Sequence, residues 1–372
     1  MKAVINGYHG IGNFGDDFFL AYITQELSSR GVENLYVAAR PDSVHHSISR
    51  QYPGFKYILP RRRLFRGYDK ILLTFWHALN ADYLIFCAGS IFTILPEKLF
   101  FFLITVLRRL RPNLTIIAVG VSIGPFKKKS KAGCVIKALS KFQYVAVRDK
   151  QSLTYFQNLD SRQLRCFRDI AFTYNPPANS IKATGRLGIC LNRYDSIFSP
   201  ETKNKEFLRN TRIAASVSTA YKNSNLREIV LFSTCSNHSY GDIEIMEHLK
   251  SELSLLGVPS RLVAYNGNFN AFYTELTTCS GLIASRMHPG FFAAQSGSVV
   301  FQLAYAEKIH HFYESLNLNN ISIHDPFDFS DHNLSQFLNY KIHVVTKTDP
   351  HLEIIKEIET NNYKAFLDEA IK

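Results

Sequence analysis

The sequence predicts an α/β protein built from two doubly wound domains. Short apolar runs recur along the chain, and glycine or polar residues follow most of them. Stretches that suit helices separate these runs, as in parallel sheets that carry helices on both faces. A proline-rich segment at 175–180 interrupts this alternation, which then starts again. The length of 372 residues also suits two domains of ordinary size.

The first half of the chain contains five predicted strands. They are Ala3–Asn6, Val32–Ala38, Tyr83–Cys87, Leu114–Val119 and Tyr144–Val147. Helices are expected from about Asp16, over Leu99–Leu110 and from about Ser152. We therefore assign residues 1–178 to an N-terminal Rossmann-like domain.

The second half repeats the pattern with five further strands. They are Leu187–Leu191, Glu228–Phe232, Arg261–Ala264, Leu282–Ala284 and Val299–Leu303. These strands define a second Rossmann-like domain at residues 184–345. The tail at 346–372 contains one amphipathic helix, Leu352–Ile371, which we expect to pack back on the first domain. Two such domains facing a cleft form the GT-B-like arrangement.

Composition and charge limit the classes of function. The net charge is +12 and the pI about 9.3, which favours anionic partners. The basic runs are short and lack a nucleic-acid module, so a nucleic-acid partner is not expected. The six cysteines show no metal or redox spacing and indicate buried thiols in a reducing compartment. No signal peptide or membrane span is evident, so we expect a cytoplasmic protein with possible peripheral contact at the inner face of the membrane.

The segment from Ser285 to Pro289 is the strongest candidate for a functional site. Arg286 and His288 fall between a buried strand and a helix whose first position Pro289 suits. In open α/β sheets, ligands bind at the carboxyl ends of the strands. The free N–H groups of the helix would add to the positive charge of the arginine. The segment therefore predicts an anion site that holds an acid/base group; the alternative is a surface turn with two polar residues.

The glycine turn near the N-terminus raises a second hypothesis. Gly10, Gly12 and Gly15 fit the spacing of the dinucleotide-binding fingerprint. Asp16 and Asp17 follow at once, however, where they would repel a pyrophosphate. We therefore expect no nicotinamide cofactor. Either the turn approaches a sugar acceptor, with an aspartate accepting hydrogen bonds from hydroxyl groups, or Asp16 only caps the helix.

Seven segments together resemble the polysaccharide pyruvyl transferase family, and they occur in the order of that family. They are Gly12–Asp17, Cys87–Phe92, Gly120–Pro125, Arg148–Ser152, Asp169–Phe172, Ser285–His288 and Tyr305–Lys308. The family's Leu-Arg at the end of the first strand of the second domain differs here, because Asn192 displaces Arg193 by one position.

The resemblance implies an enzyme that transfers pyruvate from phosphoenolpyruvate to a sugar as a ketal. The acceptor would be a surface polysaccharide or its lipid-linked precursor. His288 would be the catalytic acid/base, and general catalysis of this kind accelerates reactions by about 10²–10⁴-fold. The following residues would bind phosphoenolpyruvate: Arg148, Arg286, Met287, Lys308 and Arg193. Gly12, Asn13, Asp16 and Asp17 would bind the acceptor, and neither a cofactor nor a metal is expected.

Two other functions fit parts of the sequence. A GT-B glycosyltransferase would use a nucleotide sugar, with Glu307 as the nearest candidate for holding its ribose. A non-catalytic component of a polysaccharide assembly complex would instead hold acidic glycans on its basic surface. The second function predicts salt-sensitive binding without turnover.

Overall fold

The computed structural model describes most of the chain as two compact units. It describes every residue except 42, 43, 45, 62–67, 88, 94, 127, 157–162, 175–182, 195–200, 224–225, 237–240, 315, 317, 340–341 and 343–349. Unit 1 comprises Met1–Ile11, Asp16–Tyr174 and Ile355–Lys372. Unit 2 comprises Gly12–Gly15 and Asn175–Ile354. The predicted proline-rich linker and the predicted boundaries at 178 and 345–346 lie outside the described residues.

Unit 1 is organised around a parallel sheet of seven strands. They are β1 (Lys2–Asn6), β2 (Asn34–Val37), β3 (Phe55–Tyr57), β4 (Tyr83–Cys87), β5 (Thr115–Val121), β6 (Tyr144–Val147) and β7 (Leu164–Cys166). Their order in the sheet is β3-β2-β1-β4-β5-β6-β7. The order changes direction between β1 and β4, which is the position where doubly wound sheets leave a crevice for ligands.

The helices of unit 1 cover a sheet that is apolar on both faces. They are α1 (Phe14–Ser29, in unit 1 from Asp16), α2 (His46–Ser49), α3 (Asp69–Ala78), α4 (Glu97–Leu110), α5 (Lys129–Leu139), α6 (Lys150–Leu153) and α13 (Pro350–Ala370, in unit 1 from Ile355). All five residues of β4 are buried, as expected for a central parallel strand. Phe86 contacts Phe92, Phe100 and Phe142 with ring centroids 5.4–5.7 Å apart. This aromatic cluster anchors α4 to the sheet.

Unit 2 repeats the architecture with six parallel strands. They are β8 (Ala183–Cys190), β9 (Glu228–Ser233), β10 (Ser260–Ala264), β11 (Cys279–Ala284), β12 (Val299–Leu303) and β13 (Ile321–His324), in the order β10-β9-β8-β11-β12-β13. The helices are α7 (Thr202–Asn223), α8 (Ile243–Leu255), α9 (Phe269–Thr277), α10 (Met287–Gln295), α11 (Glu307–Glu314) and α12 (Asp331–Asn339). Here the order changes direction between β8 and β11, so the residues after these strands border the crevice.

Four residues of the N-terminal turn, Gly12–Gly15, pack within unit 2. Phe14 is fully buried and stacks on Phe269 with ring centroids 4.7 Å apart. The Phe14 backbone N–H donates to the carbonyl oxygen of Thr234 at 3.0 Å, and Asn13 forms an antiparallel bridge with Cys235. Hydrophobic burial of Phe14 therefore fixes the glycine turn at the carboxyl end of β9.

The predicted fold class is confirmed: both units are doubly wound α/β domains. The tail helix runs over Pro350–Ala370, close to the predicted Leu352–Ile371. Strands β3, β7 and β13 were not predicted, because each is only three or four residues long and lies at or near a sheet edge. Within the described residues, no helix combines the length and apolar character that a membrane span requires.

Candidate active site

The turn after β11 places Arg286 and His288 at the carboxyl edge of the unit 2 sheet. β11 ends at Ala284, and α10 begins at Met287. The Ser285 backbone N–H donates to the Cys190 carbonyl oxygen at 2.9 Å, and the Asn192 backbone N–H donates to the Ser285 hydroxyl at 2.7 Å. These bonds tie the ends of β8 and β11 together. Arg286 is therefore held in extended conformation immediately before the helix.

A buried aspartate orients Arg286. Its Nη2 donates to Oδ1 of Asp242 at 2.6 Å, and the Asp242 side chain is fully buried while that of Arg286 is 22% exposed. The Thr234 hydroxyl donates to the second Asp242 oxygen at 3.0 Å. Burial lowers the pKa of Arg286, but the charge and hydrogen bond of Asp242, together with the charges of Tyr305 and Cys235, outweigh burial, and the net pKa shift is upward. The guanidinium is thus a fixed cation, and part of it faces outward.

Arg193 joins the same network despite its displaced position in the sequence. Its backbone N–H lies 3.3 Å from Oδ1 of Asp242, and its guanidinium Nη1 lies 3.4 Å from a carboxylate oxygen of Glu244. Asp242 therefore connects two arginine-bearing turns, those after β8 and β11. Glu244 also accepts a hydrogen bond from Lys203 at 2.7 Å.

Gly15 of the N-terminal turn lies directly against the imidazole of His288. A Cβ atom built on Gly15 would overlap Nδ1 of His288, so only glycine permits this approach. The Gly15 backbone N–H donates to the Asn13 side-chain oxygen at 3.0 Å. Gly12 has a φ of +72°, and its carbonyl oxygen accepts from the Ser236 backbone N–H at 2.9 Å. The glycine turn therefore lies directly beside His288 within unit 2.

The remaining predicted donor residues lie on neighbouring helices. Met287 is the first residue of α10, and its carbonyl oxygen accepts from the buried Tyr313 hydroxyl at 2.7 Å. Lys308 is exposed and is the second residue of α11, which follows β12. Because β12 pairs with β11, both helices begin at the same edge of the sheet.

In unit 1, Arg148 belongs to a separate and more deeply buried network. Its Nη1 donates to Oδ2 of Asp169 at 2.5 Å, and its Nε donates to the Ser122 hydroxyl at 2.7 Å. The Arg148 and Asp169 side chains are only 8% and 1% exposed. Asp149 accepts from Ser122 and from the Ser152 hydroxyl, both at 2.7 Å. Three of the sequence segments thus meet at the ends of β5, β6 and β7.

Asp16 and Asp17 lie in the first turn of α1 and differ in exposure. Asp17 is buried, while Asp16 is half-buried. Asp16 lies close enough to Lys70 to oppose the effect of burial, which lowers the pKa of that lysine to about 8. Lys70 donates to the carbonyl oxygen of Gly7 at the end of β1. The carboxyl edge of the unit 1 sheet therefore carries an acidic residue beside a half-buried lysine.

His9 is part of the same edge but is sealed from solvent. It is 2% exposed, and its ring lies so close to Gly7 that a Cβ there would overlap it. Burial, and then the charge of Lys70, lower the pKa of His9 to about 3. His9 is therefore a neutral core histidine.

Sequence reasoning missed two residues of these networks. Asp242 follows a glycine and precedes an apolar helix, a pattern that predicts an ordinary helix cap. Its side chain instead binds Arg286 and Thr234, and makes no cap hydrogen bond. Lys70 carries no motif, and nothing local in the sequence connects it with Gly7 or Asp16.

The sequence also matches a known family. The family model for polysaccharide pyruvyl transferase covers residues 13–306. The chain belongs to the polysaccharide pyruvyl transferase family. The predicted resemblance is therefore confirmed. No curated protein matches the sequence.

Solved structures with the GT-B fold resemble the chain at low sequence identity. UDP-GlcNAc 2-epimerase from Methanocaldococcus jannaschii has a TM-score of 0.60 at 10% identity, covering 96% of this chain and 99% of its own. HepE of Anabaena, in complex with UDP and glucose, has a TM-score of 0.60 at 9% identity, with 99% and 100% covered. Sucrose-phosphate synthase from Thermosynechococcus elongatus has a TM-score of 0.56 at 14% identity, with 99% and 98% covered. At such identities the similarity concerns the fold.

Proposed function

We propose that the protein transfers pyruvate from phosphoenolpyruvate to two hydroxyl groups of a sugar, forming a ketal. The sugar belongs to a surface polysaccharide or its lipid-linked precursor, and the reaction takes place in the cytoplasm or at the inner face of the membrane. One observation carries the proposal. His288 lies at the same strand–helix junction as Arg286, which a buried aspartate holds, in a member of the pyruvyl transferase family.

The donor fits the charges around His288. Phosphoenolpyruvate carries a phosphate and a carboxylate, which planar guanidinium groups bind through paired hydrogen bonds. Arg286 supplies a guanidinium group, and the N-terminal turn of α10, which includes Met287, supplies backbone N–H donors. Lys308, at the start of α11, and Arg193, on the turn after β8, add positive charge. Arg148 would also bind the donor, in addition to the hydrogen bonds that its guanidinium makes to Asp169 and Ser122.

The reaction adds one proton to the methylene carbon of the donor and removes one proton from each of two sugar hydroxyl groups. His288 donates a proton to the methylene carbon, which becomes the methyl group as a sugar hydroxyl oxygen attacks the adjacent carbon and loses its own proton. The phosphate then leaves with the electron pair of its carbon–oxygen bond. A second sugar hydroxyl attacks the same carbon, loses its proton and closes the ketal. Of the two hydroxyl protons, one returns to His288 and the other goes to the released phosphate. Phosphate and the ketal are the only products, so no redox partner is required.

The acceptor is assigned to the turn at the start of α1. Burial favours Asp16 over Asp17 as the group that accepts hydrogen bonds from sugar hydroxyls, because Asp17 is only 1% exposed. Gly12 and Asn13 belong to the same turn as Gly15, which lies against the His288 ring.

Phosphate release from phosphoenolpyruvate tests the proposal. Purified protein, His288→Ala and His332→Ala would each receive free and lipid-linked oligosaccharides. His332 is an exposed histidine of α12 and serves as the matched control. We expect acceptor-dependent release that falls by about 10²–10⁴-fold in His288→Ala and is unchanged in His332→Ala.

Two results would contradict the proposal in different ways. Equal release by all three proteins would remove His288 from catalysis but retain the reaction. A rise in Tm with UDP-sugars, and neither a rise in Tm nor release with phosphoenolpyruvate, would favour a nucleotide-sugar glycosyltransferase.

A further inference from the structure

We propose that the outer surface of helices α3 and α4 binds an anionic phospholipid bilayer. This α3–α4 outer face consists of Tyr68, Trp76, Lys98, Phe102, Arg109 and Leu110. The inference extends the proposed location at the membrane to a defined surface. It does not depend on which reaction the protein catalyses.

The net charge of the chain is concentrated in the segment of sequence that contains these helices. Residues 61–141 contain 15 lysines and arginines but only 3 aspartates and glutamates, an excess equal to the whole net charge of +12. The remainder of the chain contains 28 residues of each sign and is neutral. Such an asymmetry directs one region of the protein toward an anionic surface.

Large apolar side chains are exposed on the same two helices. Tyr68 is 50% exposed, Trp76 67%, Phe102 60% and Leu110 62%. Scattered single apolar residues are ordinary on protein surfaces, whereas several on neighbouring helices mark an interaction site. Tryptophan, tyrosine and phenylalanine are also the side chains that favour the boundary between lipid headgroups and acyl chains.

Both helices bury one side against the sheet and expose Trp76 and Phe102 on other sides. Phe75 of α3 and Phe100 of α4 are buried against the sheet with ring centroids 6.4 Å apart, so the opposite sides of both helices face outward. Arg111, just after α4, donates to the carbonyl oxygens of Leu79 and Ala81 just after α3. The C-terminal ends of the helices, which carry Trp76 and Leu110, are therefore adjacent.

Basic side chains border the apolar ones, and acidic side chains are few. Lys98 and Arg109 are exposed and lie four residues before and seven residues after Phe102, on one stripe of α4. Of the three acidic residues in the region, Asp69 is buried and Asp82 accepts from the backbone N–H of Lys2 at 2.8 Å. Only Glu97 opposes the positive charge along α4.

This combination favours a bilayer over the other occupants. An acidic polysaccharide would bind the charges and stack on an aromatic ring, but its hydroxylated surface would not bury the aliphatic Leu110. A second copy of the chain would bring two strongly basic surfaces together, which like charges oppose. An anionic bilayer complements both features, because its headgroups attract Lys98 and Arg109 while its interface accepts Trp76 and Phe102.

The surface is also well placed for a lipid-linked acceptor. Lys70, in the first turn of α3, donates to the Gly7 carbonyl oxygen at the carboxyl edge of the sheet. The α3–α4 outer face therefore begins at Tyr68, beside the edge that carries Asp16.

The single tryptophan of the chain, Trp76, reports directly on this surface. We would mix the protein with vesicles of phosphatidylcholine alone, or of phosphatidylcholine with phosphatidylglycerol, in the absence of phosphoenolpyruvate. We expect co-sedimentation and a blue shift of tryptophan emission only with the anionic vesicles. Binding should weaken as salt rises from about 0.1 M to about 1 M, because the Debye length falls from about 10 Å to about 3 Å.

Three variants test the assignment to these helices. We expect Phe102→Ser to weaken vesicle binding about tenfold. The double variant Lys98→Ser/Arg109→Ser should weaken it about 25-fold, at about fivefold for each charge. Leu255→Ser in α8, whose side chain is 83% exposed in unit 2, is the matched control and should bind like the unchanged protein. Circular dichroism melting would confirm that each variant is folded.

Several outcomes would overturn the inference. They are absence of binding to anionic vesicles, co-sedimentation without a shift of Trp76 emission, an equal loss in Leu255→Ser, and a dimer in solution that Phe102→Ser abolishes. Binding of acidic polysaccharide that Phe102→Ser retains, without vesicle binding, would identify a glycan surface instead. Phosphate release with a water-soluble acceptor should persist in Phe102→Ser, so failure of the membrane inference is distinguishable from failure of the proposed reaction.

Discussion

The two units each place an arginine directly behind a parallel strand and pair it with a buried aspartate. Arg148 is 8% exposed, and its guanidinium also bonds Ser122 and lies 5.8 Å from the Phe19 ring centroid. Arg286 is 22% exposed, and its Asp242 partner is held by Thr234. The arginine–aspartate pair is therefore buried within unit 1, whereas the corresponding pair in unit 2 leaves part of the guanidinium exposed.

The strand-end histidines differ in the same way. His9 is sealed against Gly7 in unit 1, whereas His288 is half-buried beside the glycine turn in unit 2. A polar residue at the carboxyl edge of a sheet therefore does not by itself indicate a ligand site. The exposed fraction of its side chain decides whether it can bind a ligand.

The largest expected effect is on the buried pair of unit 1. Asp169→Ala leaves the Arg148 charge buried without its partner and should lower the free energy of unfolding by about 3–5 kcal/mol. Asp242→Ala should cost less, because water can reach the partly exposed Arg286. Asp368→Ala is the control: this aspartate pairs with Arg30 but is 67% exposed, and its loss should cost less than about 1 kcal/mol. Urea denaturation measures all three, and equal losses for Asp169→Ala and Asp242→Ala would contradict the comparison.

The next effect concerns pH. The folded state lowers the pKa of His9 from 6.5 to about 3, so the unfolded chain binds more protons between these values. Stability must therefore rise with pH across this window and be lost as pH falls toward 3. We expect His9 to contribute a loss of about 2 kcal/mol between pH 6.5 and about 4.5.

Urea denaturation of His9→Gln at several pH values checks this contribution. The variant should lose stability less steeply on acidification than the unchanged protein, whereas His332→Gln, with an exposed histidine, should follow the unchanged protein. A His9→Gln profile parallel to that of the unchanged protein would show that His9 is protonated in the folded state.

A smaller effect separates the two arginines in donor binding. Arg286→Lys should weaken phosphoenolpyruvate binding about tenfold, because an ammonium group cannot form the paired hydrogen bonds of a guanidinium. Arg148→Lys should change donor affinity less and lower Tm more. Thermal shifts at increasing phosphoenolpyruvate concentration give both values. Comparable losses of affinity would place Arg148 in the donor site, as the sequence predicts.

The smallest expected effects concern glycines. Gly12 has a φ of +72° and faces Ser236, so Gly12→Ala should destabilise unit 2 by about 1 kcal/mol or more. Gly133 lies within α5, and a Cβ there would contact nothing within 4 Å. Gly133→Ala should therefore stabilise the protein by about 0.5–1 kcal/mol. Thermal unfolding distinguishes the two, and a stabilising Gly12→Ala would show that the turn is not strained by a side chain.

Much of the architecture was predictable because it depends on local patterns. Ten apolar runs identified strands that the structure contains, and turn residues behind them located Arg148, Arg286 and His288. Edge strands such as β7 were missed because three residues carry too little periodicity to distinguish a strand from a loop.

The sequence by itself determined the doubly wound fold and which strand ends carry charged groups, since both follow from the order of residues along the chain. The tertiary structure alone decided which of these groups meet. Asp242 finds Arg286 across 44 residues, and Phe14 anchors the glycine turn among aromatic rings more than 250 residues away. Neither contact has a local signal, because each depends on strands β8, β9 and β11 coming together in one sheet. Burial then made His9 a core residue, and Asp242 kept Arg286 available as a cation.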